Sequence, residues 1–102
     1  MAVARQAAIG RLEAKAAEAG TRHADPFWTH GMQTPQRWAQ RAYQAAISVM
    51  RDSAPRDGDT VDSYLARMRA EVAGYRGYGP DLDDEAWYDS AIEDACSTIT
   101  QR

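Results

Sequence analysis

Seven carboxylates crowd the stretch Asp81-Leu-Asp-Asp-Glu-Ala-Trp-Tyr-Asp-Ser-Ala-Ile-Glu-Asp94: Asp81, Asp83, Asp84, Glu85, Asp89, Glu93 and Asp94, with no Lys or Arg among them. Like charges this close repel, so the run calls for a structural use or a cationic partner. Part of it has a structural use. Asp81 suits a turn, and Asp83, Asp84 and Glu85 fall at the cap and first turn of a helix. There each carboxylate gains about 0.3–1 kcal/mol from the positive end of the helix dipole. The remainder does not. Glu85, Asp89 and Glu93 follow at i, i+4 and i+8 with Asp94 beside them. Like pairs at that spacing cost about 0.2–0.5 kcal/mol each. Two readings stay open. The ridge faces the basic half of the same fold or of a symmetric dimer, or lies solvated, as ordinary surface charge. Alternatively it meets a cationic groove on another macromolecule, where an acidic helix stands in for a phosphate backbone.

Other groups with chemical potential are scattered. His23, Asp25 and His30 have the spacing H-x-D-x4-H, which matches no standard zinc pattern, and no second cluster completes a tetrahedral site. Loop histidines are the simpler reading. Phe27, Trp28 and Met32 stand in a stretch without helical period; they either plug the core or form a binding loop with Trp28 as its apolar anchor. Cys96 has Glu93 and Asp94 as acidic neighbours, which raise a thiol pKa and disfavour a nucleophile, so a buried or half-buried thiol is expected. Arg37 and Arg41 form an i, i+4 pair able to reach phosphates. However, no helix resembles a recognition helix, and the pI is near 5.2. Tyr75-Arg-Gly-Tyr-Gly79 reads as a helix-ending loop before it reads as a nucleic-acid contact. No phosphate loop, nucleophile elbow or paired acid and base occurs, so the expectation is a non-enzyme without cofactor or metal.

These residues must be positioned by a small fold. A chain of 102 residues is one domain by length. Its hydrophobic fraction of 44% overstates the core, because Ala supplies much of it, while Val and Ile number four each and Leu three. Three Trp, one Phe and five Tyr must therefore bury much of the remaining area. The core is thin, and stability should be marginal. One Cys excludes an internal disulfide, no signal-peptide run opens the chain, and no span approaches about 20 apolar residues. A cytoplasmic protein without membrane contact is the expectation. The net charge of −3 hides a polarity: residues 1–51 hold seven basic and three acidic groups, residues 52–102 five and twelve.

The spacing predicts four helices and almost no sheet. The first covers about Ala2 to Ala19, with Gly20 as its cap. Ile9, Leu12 and Ala16 form a narrow apolar stripe there, and Ala7, Gly10, Ala14 and Ala17 a second face of small residues fit for close packing or docking. A long loop from Thr21 to Gln33 follows. Thr34-Pro35 opens the second helix, with Trp38, Ala42, Tyr43, Ala45, Ala46, Ile47, Val49 and Met50 on its apolar face. Ala54-Pro55 ends it, and Asp59 or Thr60 caps the third. Val61, Tyr64, Leu65, Met68, Val72 and Tyr75 keep helical period up to the break at Gly77-Tyr-Gly-Pro80. The fourth starts near Asp83, with Leu82 and Trp87 placed as a hydrophobic staple, and buries Tyr88, Ala91, Ile92, Ala95 and Ile99. The architecture is all-α, a compact bundle of about four helices.

The reading that follows is a non-enzymatic protein-binding module. Asp84, Glu85, Asp89, Glu93 and Asp94 supply its electrostatic face and Trp28 its anchor, toward a protein partner with a basic surface. In general character, a short, acidic-ended, motif-free helical chain resembles the small inhibitors that phages and mobile elements direct against host defence complexes (anti-CRISPR-like proteins). The resemblance implies occlusion of a nucleic-acid-binding surface, in some cases by mimicry of DNA, and a host cytoplasm as the setting. Two alternatives stand beside it. One is a small helical homo-oligomer with a structural or assembly role; the other is a nucleic-acid-binding protein that uses the basic N-terminal half.

Overall fold

The computed structural model describes residues 2–23, 35–76 and 82–101, leaving aside the side chains of 21–23, 35–36 and 82–85. Those residues form four helices: α1 (Ala2–His23), α2 (Pro35–Asp52), α3 (Val61–Ala73) and α4 (Leu82–Thr100). No strand occurs among them. Consecutive helices run antiparallel, as side-chain contacts establish. Arg5 near the start of α1 meets Met50 at the end of α2. Tyr64 of α3 returns to Ser53, and Arg76 beyond α3 reaches Glu93 of α4. α2 and α4 are parallel, with Trp38 against Tyr88 and Tyr43 against Asp94. They form the central pair; α1 lies against both, and α3 packs chiefly on α4.

One continuous core joins all four helices. Leu12, Met50, Tyr64, Met68, Val72, Ile92 and Ile99 are its largest fully buried side chains. Each aliphatic or Met member contributes about 1.5–3 kcal/mol by leaving water. Seven members are Ala, which brings helices close while burying little area, so this core is thin. The predicted faces of α1, α2 and α4 are the buried ones, with Ala45 only half-buried. The four small residues Ala7, Gly10, Ala14 and Ala17 stay exposed.

Two helix ends, those of α2 and α4, are closed by arginine. The last carbonyls of a helix lack intrahelical donors and carry the negative end of its dipole, so a guanidinium there both hydrogen-bonds and neutralises. Arg5 Nη2 donates to the Met50 and Arg51 carbonyls at 2.8 and 3.0 Å, and Arg5 Nε to the Met50 carbonyl at 3.2 Å. The same Nε lies 3.1 Å from the Tyr64 hydroxyl, which itself donates to the Ser53 carbonyl at 2.9 Å. One buried phenol thus ties α1, the end of α2 and α3 together. Arg11 repeats the device on α4, its Nε and Nη2 donating to Thr98 and Ile99 carbonyls at 3.1 and 3.3 Å.

The α2–α3 turn is held from its own residues. Gly58 takes φ +86°, where a side chain would be strained, and the Asp59 amide donates to the Arg56 carbonyl at 3.0 Å. Thr60 caps α3 in a reciprocal box: its hydroxyl accepts from the Ser63 amide at 3.1 Å while Ser63 Oγ accepts from the Thr60 amide at 2.9 Å. The Asp59 carboxylate accepts the Arg56 amide at 2.7 Å and pairs with Arg67 at 3.0 Å. The Arg56 amide first, then Arg67 and Ser63, hold its pKa below the ordinary carboxylate range.

Three local expectations are corrected. α1 runs through Gly20 to His23, so Gly20 is no cap and Thr21 is helical; Ala-rich propensity carries the helix past the glycine. Gly20 instead faces α2, where a Cβ would meet the amide of Gln40. α3 stops at Ala73 with Gly74 as its C-cap, ahead of the Gly77-Tyr-Gly-Pro80 break. Tyr75 lies in the turn beyond and is 41% exposed, not part of the buried face. Finally, Leu82 is itself the first residue of α4, two positions inside the place the staple requires, so the Leu82–Trp87 staple register is lost. Residues 24–34, most of the predicted loop, lie outside the described residues.

Replacing Tyr64 by Phe should cost about 0.5–1.5 kcal/mol, and Arg5→Ala about 1.5–3, since its hydrogen bonds are charge-assisted. Because both act on one cluster, urea unfolding of the double variant should fall short of the summed losses by about 0.5 kcal/mol or more. Strict additivity would mean that the two side chains act independently. Gly10 is exposed with nothing within 4 Å of an added Cβ. Gly10→Ala should therefore stabilise the chain by about 0.5–1 kcal/mol, visible as a rise in Tm.

Candidate functional site: the outward edge of the last helix

The buried stripe of α4 fixes what the helix shows outside. With Tyr88, Ala91, Ile92, Ala95, Cys96 and Ile99 inward, Ala86, Ser90, Glu93 and Ser97 recur at i, i+4, i+7 and i+11 on the opposite face. Asp94 lies toward α1 and α2, because it meets Lys15 and Tyr43. Trp87, seven residues earlier, shares that azimuth and is 37% exposed. Asp89 is half-buried.

The anomalous carboxylates have partners inside the fold. Asp94 Oδ2 accepts a short hydrogen bond from the Tyr43 hydroxyl and lies 3.3 Å from Lys15 Nζ. Burial, then the hydrogen bond and negative charge of Asp94, then Glu18, push the Tyr43 pKa well above its ordinary value. The phenol therefore stays protonated as a donor. Glu93 pairs with Arg76 Nη2 at 3.1 Å. These ion pairs are exposed, with Asp94 at 46% and Glu93 at 64%, so each is worth about 0–1 kcal/mol. That is the same size as the like-charge cost along the ridge. Glu93 and Asp94 are thus each answered within the molecule by a weak, exposed ion pair.

Of the other sequence-derived site residues, Asp84 and Glu85 occupy the first turn of α4, and their side chains lie outside the described ones. Trp28, Asp25 and His30 also lie outside the described residues, as does the His23 side chain. Among the described residues no three His, Cys, Asp or Glu groups stand together as metal ligands, and no helix is long and apolar enough to cross a membrane. Cys96 is 2% exposed, and burial, reinforced by Glu93 against Arg69 and Arg76, raises its pKa. It is a core thiol.

The basic half is largely spoken for. Arg5 and Arg11 close helix ends, Lys15 holds Asp94, and Arg51 meets Glu13 at 3.4 Å. Arg41 stacks over the Trp38 ring at 4.8 Å, and Arg37 donates to Gln40 at 3.0 Å. The pair read as phosphate contacts is therefore engaged along its own helix.

Sequence reasoning missed Trp87 as a surface residue by giving it to the staple. The signal was present: Trp87 stands one position ahead of the Tyr88 stripe, at the edge of the buried arc.

Since the folded chain holds the Tyr43 proton more tightly than the unfolded one, that contribution to stability is complete below the ordinary tyrosine value of 10.0 and declines as pH rises above it. Thermal unfolding between pH 9 and 11 (a range of about two units around that ordinary value) should show the decline, and Tyr43→Phe should flatten it. An unchanged slope in the variant would assign the alkaline loss to another group.

No family model matches this chain, and neither does any curated protein or solved structure.

Proposed function

We propose that this chain is a non-enzymatic protein-binding module that offers the outward edge of α4 to a partner with a basic surface. Trp87 carries the reading: an indole 37% exposed, in the helix whose first turn holds Asp83, Asp84 and Glu85. Trp is the residue type most enriched among binding hot spots, and acidic groups on the same helix would steer a cationic partner. Glu93 and Asp94 extend the charge along the helix, and their exposed pairs with Arg76 and Lys15 cost little to exchange. In its concrete form, the module is an inhibitor that occupies the nucleic-acid channel of a host defence complex, with α4 standing in for phosphates. Trp87 is the exposed indole among the described residues, and Trp28 lies outside them.

The test is capture of partners from a host lysate at low and high salt, with components identified by mass. Binding should weaken steeply with salt. Trp87→Ala should lower affinity about 10-fold or more, as hot-spot truncation of at least 1.4 kcal/mol implies. An Asp89→Lys/Glu93→Lys variant that folds by circular dichroism yet captures the same proteins equally well would sink the proposal.

A second reading, a helical homo-oligomer, is favoured by one observation. The small face Ala7, Gly10, Ala14 and Ala17 is exposed and runs beside an apolar cleft between α1 and α3, lined by Ala4, Ala7, Val61 and Leu65. Val3, 83% exposed, stands on the same helix. Two copies could approach closely there, and Ala14→Arg should then halve the mass seen by light scattering. A strict monomer at high concentration removes this reading and leaves the first untouched.

A further inference from the structure

We draw no further inference here: the strongest candidate, the aromatic end of the bundle where Trp38 packs edge-on against Tyr88 and Trp87 stands half-exposed, shares its exposed residue with the face already proposed, and nothing in the structure shows what covers it.

Discussion

The open carbonyls at the ends of α2 and α4 are the constraint around which the rest of the fold is arranged. A helix end that is partly buried must find donors, and here each finds a guanidinium from α1. Arginine suits the task because its planar fork reaches two successive carbonyls at once, as Arg5 does on Met50 and Arg51. Lysine offers a point charge without that planar fork. With a core rich in Ala, apolar burial alone fixes helix positions loosely. The two arginine clamps and the Tyr64 hydroxyl define where α1 sits along α2 and α4, which in turn brings Lys15 level with Asp94.

This arrangement changes the meaning of the charge polarity along the chain. A basic first half and an acidic second half look like two surfaces awaiting partners. Much of the basic excess instead serves the ends of other helices, and part of the acidic excess is answered by Lys15 and Arg76. Under the proposed function, what is left to meet a partner is chemically narrower: one exposed indole and two weakly held carboxylates on the same helix. Affinity at such a surface would come from the indole and selectivity from the charge around it.

The sequence made the fold legible where periodicity was clean. Ile9, Leu12 and Ala16, the α2 face from Trp38 to Met50, and Tyr88 through Ile99 all lie where helical spacing put them. Thr60 was legible as a cap from its residue type. Its reciprocal bond with Ser63, a less usual partner than Glu or Gln, appears only in three dimensions. Glycine misled twice in opposite ways. Gly20, which by residue type suits a helix stop, is an interior residue facing Gln40, while Gly74, which no local signal distinguishes, is the C-cap of α3. Local propensity cannot separate those cases, because neighbouring helices decide them. The pairing of Asp94 with Tyr43 and Lys15 was equally out of reach, since it joins residues 51 and 79 positions apart.

Those separations carry a consequence for how the chain comes into being. α1 is made before α4, and its Arg11 cannot find its acceptors until Thr98 and Ile99 have been added, 87 and 88 positions later. Until then the apolar stripe of the Ala-rich α1 and the guanidinium of Arg11 lack their α4 partners. The α2–α3 pair can close locally through Gly58, Thr60 and Tyr64 well before then. Closure of this bundle thus waits for α4, whose last turn recruits the much earlier α1.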